Sequence, residues 1–305
     1  MSAIVYATRA YADMAAEICW LSGAERGEVV HRDFPDGERW LRIITSVAGR
    51  DAVLVGGTGS DSDTLELYDL ACGLVDKGAR SLTLIIPWFG NATMERVTQQ
   101  GEIVTAKARA RLLSSIPVPG SGSRVLLLDL HADGIPYYFE GATRAFNLSA
   151  RHIVVEAIRK FAEPPFVLAC TDAGRAKWVE SLANETGVAA SFVFKRRGED
   201  GQTQVTAVSA QVAGKNVVIY DDMIRTGGSL INAARAYRES GALKIFAVAT
   251  HGVFAGDALT RLAETRLFDR IVCTDSHPRA LALRGDFLHV EPVAALFADF
   301  LKLAT

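Results

Sequence analysis

The stretch that decides the fold of this chain is Val217-Val218-Ile219-Tyr220-Asp221-Asp222-Met223-Ile224-Arg225-Thr226-Gly227-Gly228-Ser229. Four β-forming residues lead into two adjacent carboxylates, and a loop of small residues then opens the helical pattern Leu230–Ser240. A strand that ends in a glycine-rich loop at a helix N-terminus is a ready anion site, because free backbone N–H groups converge there and the helix dipole adds partial positive charge. The stretch therefore predicts an α/β fold with a phosphate-binding turn.

The loop residues suit a phosphate group. Gly227 and Gly228 can adopt positive φ and let a phosphate approach the backbone closely. The hydroxyls of Thr226 and Ser229 can donate hydrogen bonds to its oxygens.

The paired carboxylates require a second function for the same turn. Asp221 and Asp222 would repel a phosphate, but they suit vicinal hydroxyls or a divalent metal beside it. A phosphate cradle next to two carboxylates describes a site for a phosphorylated sugar. The simpler alternative, a solvated turn with a helix cap, needs only one of these acids.

The rest of the chain alternates short β-rich runs with helical patterns, as in Ala52–Val55 followed by Thr64–Asp76. Such alternation predicts parallel sheets covered by helices on both faces. We predict an N-terminal domain of residues 1–148, with residues 290–305 packing back on it, and a C-terminal domain of residues 149–289.

Composition narrows the class of protein. The chain has 305 residues, of which 49% are hydrophobic and 22% charged, and its net charge of −2 argues against nucleic acid as a partner. Its four cysteines are widely scattered and form no Cys-x-x-Cys pair, which disfavours zinc and disulfides. We find no signal peptide and no run long enough to span a membrane, so we expect a cytoplasmic protein without a membrane partner.

Polar residues also follow three other apolar runs, where open α/β sheets place their sites. His131 and Asp172 could bind Mg²⁺ together with substrate phosphates, although His131 alone could satisfy a core hydrogen bond and Asp172 could cap the next helix. The run Lys195-Arg196-Arg197 could be a solvated charge cluster. It precedes the polar stretch 198–202, however, and a basic loop is suited to closing over a transferring phosphoryl group.

These segments, in this order, resemble the ribose-phosphate pyrophosphokinase family over almost the entire chain. The resemblance also rests on Phe34-Pro35-Asp36-Gly37-Glu38, Asp63–Leu67, Ile86–Gly90, Glu102–Lys107, Asp129–Ala132 and Thr250–Phe254. It implies two phosphoribosyltransferase-like domains, each a mainly parallel sheet flanked by helices. Ordinary phosphoribosyltransferases share the Asp-Asp loop but have no homologous N-terminal half.

The resemblance implies transfer of the diphosphoryl group of ATP, or of another nucleoside triphosphate, to the 1-hydroxyl of ribose 5-phosphate. His131 and Asp172 would hold Mg²⁺ and the triphosphate, and Lys195 and Arg197 would stabilise the charge on the transferring group. The implied ribose 5-phosphate site comprises Asp221, Asp222, Arg225, Thr226, Gly227, Gly228 and Ser229. The implied adenine contacts are Phe34, Asp36 and Glu38, near a subunit interface of a homo-oligomer.

The chain departs from the family pattern at two places. Thr93-Met94 replaces an Arg-Gln pair that grips the nucleotide, and Arg96 is a candidate replacement one turn further on. Arg225 replaces the acid usual at its position in the loop. These departures mark a divergent member and leave open the alternative of a non-catalytic regulatory homologue. A phosphoribosyltransferase is a further alternative, less favoured because the N-terminal half resembles something else.

Overall fold

The computed structural model of the chain describes residues 3–162, 164–171, 173–197, 203–208 and 212–303. The strands are β1 (Ile4–Ala7), β2 (Glu25–Arg26), β3 (Val29–Asp33), β4 (Arg39–Ile43), β5 (Asp51–Val55), β6 (Ser81–Ile86), β7 (Ser123–Leu128), β8 (Thr143–Leu148), β9 (Phe166–Cys170), β10 (Ala189–Ser191), β11 (Val193–Arg197), β12 (Thr203–Val208), β13 (Asn216–Ile224), β14 (Ile245–Gly252), β15 (Arg270–Thr274) and β16 (Leu288–Glu291). The helices are α1 (Ala12–Ser22), α2 (Asp61–Asp76), α3 (Thr105–Ser114), α4 (Arg151–Phe161), α5 (Ala176–Thr186), α6 (Gly228–Glu239), α7 (Ala258–Glu264), α8 (Pro278–Ala282) and α9 (Ala294–Leu303).

The chain divides into two compact units. The first contains the residues up to 149 together with those from 293 onward, and the second contains residues 150–292. The first unit is built on a sheet of six parallel strands in the order β2-β1-β5-β6-β7-β8. Neighbouring residues such as Leu126 and Leu127 are both fully buried, so this sheet is covered on both faces.

The second unit is built on another parallel sheet, in the order β10-β9-β13-β14-β15-β16. Successive residues of β13 enter opposite cores, as the two-residue period of a strand requires. Ile219 packs in one cluster with Ala233 of α6, whereas Val218 packs in the other with Val179 of α5. The predicted fold class, with a mainly parallel sheet in each half, is confirmed.

Both units follow the same path. In the first unit β1 lies inside the sheet, β2 lies at its edge, and the antiparallel β3–β4 hairpin precedes β5. In the second unit β9 lies inside the sheet, β10 lies at its edge, and the antiparallel β11–β12 hairpin precedes β13. In the second unit β9 leads through α5 to β10 on one side, while β13 leads through α6 to β14 on the other. The boundary between β9 and β13 is therefore a topological switch point, and ligands of open α/β sheets bind outside the carboxyl ends of the strands at such points.

Within the described ranges, we find no helix whose length and apolar character would let it cross a membrane.

Candidate active site

The two adjacent carboxylates lie inside strand β13 and not in the loop after it. The sequence predicted that this strand ends at Tyr220, but its pairing with β14 continues through Asp221, opposite Ala249, and stops only at Ile224. Hydrogen bonding to a central strand outweighs the weak β-propensity of aspartate. The loop before α6 is correspondingly short and contains only residues 225–227.

Asp221 is held by two hydrogen bonds. Its Oδ2 accepts one from the hydroxyl of Thr171 at 2.9 Å, and its Oδ1 accepts one from the backbone N–H of Asp222 at 3.0 Å. Because Thr171 directly follows β9, this contact bridges the switch point. The Asp221 carboxylate is therefore fixed at the sheet edge where a ligand is expected.

Asp222 forms an ion pair with Arg175, which the sequence analysis missed. The guanidinium donates to Oδ2 of Asp222, and the two side chains are 21% and 7% exposed, respectively. A charge buried to this extent is costly unless it is paired. In the sequence, the indication that Arg175 belongs to the site is its position directly after the Thr171–Gly174 motif.

Gly227 gives the loop its shape. Its φ of 78° lies in the left-handed region, and a Cβ atom there would come within 3.0 Å of the Leu262 side chain. The segment before Gly227 is held by the loop after β14, because the carbonyl of Arg225 accepts a hydrogen bond from the N–H of Ala255 at 2.9 Å. Helix α6 then begins directly at Gly228.

The residues predicted to bind the sugar phosphate gather around this helix start. Arg225, Thr226, Gly228 and Ser229 are exposed, whereas Gly227 is buried beneath them. The first backbone N–H groups of a helix have no acceptor within that helix. The turn thus offers hydroxyls, a guanidinium and backbone donors beside the two carboxylates.

The equivalent turn of the first unit, Gly56–Ser60, follows β5 and precedes α2. A Cβ atom at Gly57 would lie 2.5 Å from the hydroxyl of Tyr11, so this turn is filled by a side chain. Ser60 caps α2 by accepting the N–H of Asp63 at 3.0 Å, and Asp61 adds a second carboxylate to the first helical turn. The same topology here gives a filled and acidic turn that disfavours phosphate.

The predicted adenine contacts lie together at the tip of the β3–β4 hairpin. The N–H of Phe34 donates to the carbonyl of Glu38 at 2.8 Å, and the N–H of Glu38 donates to Oδ1 of Asp36 at 3.1 Å. The guanidinium of Arg32 lies 5.0 Å from the centre of the Phe34 ring. Asp36 and Glu38 are both exposed at this tip.

A buried carboxylate anchors that hairpin, a feature that the sequence analysis did not identify. Glu66 of α2 accepts the backbone N–H of Arg9 at 2.8 Å and lies 3.4 Å from Nδ1 of His31 and 3.3 Å from a guanidinium nitrogen of Arg39. His31 and Arg39 belong to β3 and β4, respectively. Burial lowers the pKa of His31 below its usual value, and the charge of Glu66 opposes that shift.

The predicted ligands His131 and Arg96 lie on two different loops of the first unit. His131 lies half-buried in the loop after β7. Arg96 is 78% exposed on a different loop, with its guanidinium 3.5 Å from Glu95. Asp172 lies outside the described residues.

Lys195 and Arg197 lie within a strand, which corrects the prediction that they follow one. Strand β11 contains both residues and pairs antiparallel with β12, placing Lys195 opposite Val205 and Arg197 opposite Thr203. The sequence analysis did not predict β12, and this pairing extends β11. Residues 198–202, where a closing loop was predicted, lie outside the described residues.

In the part of the chain that the structure describes, no three or more His, Cys, Asp or Glu side chains form a group that could hold a metal ion. Mg²⁺ at phosphoryl-transfer sites is usually bound by one or two carboxylates together with substrate phosphates, and a larger protein cage is not needed.

Fold and site together define an α/β protein with two phosphoribosyltransferase-like domains. Two family descriptions match it, "N-terminal domain of ribose phosphate pyrophosphokinase" over residues 3–116 and "Phosphoribosyl synthetase-associated domain" over residues 188–302. The ribose-phosphate pyrophosphokinase of Hyphomonas neptunium is 32% identical over 282 residues, which covers 91% of this chain and 88% of the relative. That of Thermococcus kodakarensis is 33% identical over 259 residues, covering 84% and 88%.

A solved structure agrees with these relatives. Phosphoribosylpyrophosphate synthetase from Mycobacterium smegmatis superposes with a TM-score of 0.88 at 27% identity, covering 100% of this chain and 99% of that one. The chain belongs to the ribose-phosphate pyrophosphokinase family. The predicted family, and the prediction of a diphosphotransferase enzyme, are confirmed.

Proposed function

We propose that this chain transfers the diphosphoryl group of ATP to the 1-hydroxyl of D-ribose 5-phosphate, giving 5-phospho-α-D-ribose 1-diphosphate and AMP. The hydroxyl oxygen forms a bond to the β-phosphorus, the bond from that phosphorus to the α–β bridging oxygen breaks, and the hydroxyl loses its proton. Such a transfer needs no covalent intermediate on the protein, since positioning and charge stabilisation account for catalysis.

The observation that carries the proposal is the fixed pair of carboxylates beside the Gly227 turn. Thr171 orients Asp221, and Arg175 orients Asp222. Two fixed anionic acceptors suit the vicinal hydroxyls of a ribose, and the adjacent start of α6 suits its 5-phosphate. Arg225, Thr226, Gly227, Gly228 and Ser229 would surround that phosphate.

The remaining roles follow from the family. Lys195 and Arg197 would stabilise the charge that develops on the transferring group. Phe34, Asp36 and Glu38 would contact the adenine, and Arg96 and His131 would contact the nucleotide. The exposed hairpin tip supports a homo-oligomer in which this site lies near a subunit interface, and the two units would be domains 1–148 with 290–305 and 149–289.

Mg²⁺ belongs to this proposal, with His131 and Asp172 as the residues that would hold it together with the triphosphate. When bound, Mg²⁺ would supply positive charge that neutralises the phosphate oxygens. The imidazole of His131 is a less usual partner for Mg²⁺ than an oxygen ligand, so the carboxylate of Asp172 would be the stronger of the two. A cytoplasmic location is also part of the proposal.

The test is to incubate the purified full chain with Mg²⁺, ribose 5-phosphate and ATP and to follow the products by ³¹P NMR. AMP and the 1-diphosphate should appear in equal amounts. A chain that gives neither product, yet changes the turnover of an active synthetase mixed with it, would be the regulatory homologue. Release of diphosphate from added 5-phosphoribosyl 1-diphosphate and a nucleobase would instead identify a phosphoribosyltransferase.

A further inference from the structure

A cavity of about 340 Å³ lies at the amino ends of β13, β14 and β15 in the second unit. Asn216 at the start of β13 and Phe246 near the start of β14 contribute to its wall. The Asp221–Asp222 pair lies toward the opposite, carboxyl end of β13. This amino-edge cavity is therefore separate from the candidate active site.

The charged side chains around the amino-edge cavity are mainly cations. Lys160, Lys244 and Arg270 line it, and Asp269 is the single carboxylate among the lining residues that the structure describes. Asp269 already accepts a hydrogen bond from the N–H of Ile245 at 2.9 Å and lies 3.8 Å from a guanidinium nitrogen of Arg238. The guanidinium of Arg238, which is not among the lining residues, therefore partly offsets the negative charge of Asp269.

In the described part of the chain, one of the three cations is paired with a carboxylate. Lys160 pairs with Glu291 at 2.9 Å, and its ammonium also lies 5.1 Å from the centre of the Phe161 ring. The guanidinium of Arg270 lies 5.2 Å from the same ring. Within the described ranges, neither Arg270 nor Lys244 pairs with an acid. The positive charge facing the cavity therefore comes mainly from these two residues.

Their backbones are rigidly placed. Arg270 is the first residue of β15, and the carbonyl of Lys244 accepts the N–H of Val217 at 2.8 Å. Helix α4 ends at Phe161 beside the cavity, and the carboxyl end of a helix carries roughly half a negative charge. The charge of Asp269 and this partial charge together are smaller than the two positive charges of Lys244 and Arg270, so the net charge around the cavity remains positive.

We propose that the amino-edge cavity binds the phosphate dianion of a small phosphomonoester through Lys244 and Arg270. A guanidinium held over an aromatic ring is oriented in advance for phosphate, and an ammonium adds a point charge beside it. The volume is near the lower end of the ~300–1,000 Å³ range of small-molecule sites, which suits a sugar phosphate or nucleoside monophosphate. This site does not depend on the proposed reaction.

The test measures the acetylation rate of Lys244 in the full chain, using a water-soluble acetylating reagent and peptide mass spectrometry. Ribose 5-phosphate, AMP and inorganic phosphate are added separately, with ribose and adenosine as uncharged controls. Lys77, an exposed lysine of the first unit, is the internal reference. Because the readout is local to Lys244, binding of the same compounds at the Gly227 turn does not affect it.

At least one phosphate compound should slow acetylation of Lys244 fivefold or more while Lys77 is unchanged. The compound that protects best identifies the source of the phosphate, inorganic, sugar or nucleotide. Arg270→Ala should raise at least tenfold the ligand concentration needed for half-maximal protection. Arg266→Ala, which changes an arginine four residues earlier that is not among the lining residues, should leave that concentration unchanged. Absence of protection by all three phosphates, or equal protection by ribose and adenosine, would overturn the proposal.

Discussion

Arg175 and Asp222 form a largely buried ion pair across the boundary between β9 and β13. Their separation in sequence is 47 residues, and the parallel pairing of these two strands brings them together. The pair holds a carboxylate in a fixed orientation at a sheet edge. A ligand hydroxyl that meets Asp222 therefore meets an acceptor whose direction is already set.

Arg175→Ala should destabilise the protein by about 2–3 kcal/mol, because it leaves the Asp222 charge buried without this partner. Urea unfolding of Arg175→Ala, Asp222→Asn and the double variant should give a coupling energy above about 1 kcal/mol. Arg111→Ala is the matched control, since the Arg111–Glu140 pair is 57% and 52% exposed and should contribute less than about 1 kcal/mol. Additive losses at Arg175 and Asp222 would argue against an energetic role for the pair.

Gly227→Ala and Gly228→Ala should have very different effects on the stability of the fold, although the two residues are adjacent. The first places a Cβ atom at a φ of 78° and within 3.0 Å of Leu262, which should cost at least about 1–2 kcal/mol. At Gly228 a Cβ atom meets nothing within 4 Å, and the change should stay within about 0.5 kcal/mol. Thermal unfolding of both variants provides the measurement, and equal melting temperatures would contradict the assigned strain.

Lys195→Ala should lower kcat far more than it weakens ribose 5-phosphate binding, if the proposed function is correct. A cation that contacts mainly the transition state should contribute about 3–4 kcal/mol to the barrier. Steady-state kinetics and calorimetric titration separate the two effects, and Lys77→Ala serves as the control for loss of a surface charge. A tenfold rise in KM at unchanged kcat would be inconsistent with this role.

Acidification should destabilise the hairpin region through His31. The usual pKa of 6.5 is lowered in the folded protein, mainly by burial, so the unfolded chain takes up the proton first as the pH falls. Stability should therefore decrease below about pH 6.5 and continue to decrease until the lower folded pKa is passed. His31→Gln should lose less stability than the parent between pH 7 and pH 5, measured by urea unfolding. His152→Gln, at an exposed position of α4, should behave like the parent.

The nucleotide preference should be broad, because Thr93 and Met94 cannot supply a bidentate cation. Under the proposed function, base recognition through apolar contact with Phe34 would discriminate by only ~1–3 kcal/mol. We expect kcat/KM for ATP to exceed that for GTP and CTP by less than about a thousandfold, and Thr93→Arg to increase the preference. A larger ratio in the unmodified protein would mean that another residue recognises the base.

The sequence by itself determined the features that depend on neighbours in the chain. Alternating strands and helices predicted the parallel sheets, and the spacing of Asp221, Asp222 and Gly227 predicted the turn at which a phosphorylated sugar would bind. The Phe34–Glu38 turn is of the same local kind, since a Pro-Asp-Gly run between two β-rich segments predicts a hairpin. These features are local, so propensity and spacing carry enough information.

The tertiary structure decided what surrounds those features. Pairing with β14 extended β13 past Asp221, and pairing with β9 delivered Thr171 and Arg175 to the two carboxylates. The position of Tyr11 filled the equivalent turn of the first unit. Each of these outcomes depends on which strand or helix lies next to another, and contacts between residues far apart in sequence leave no local periodicity from which to predict them.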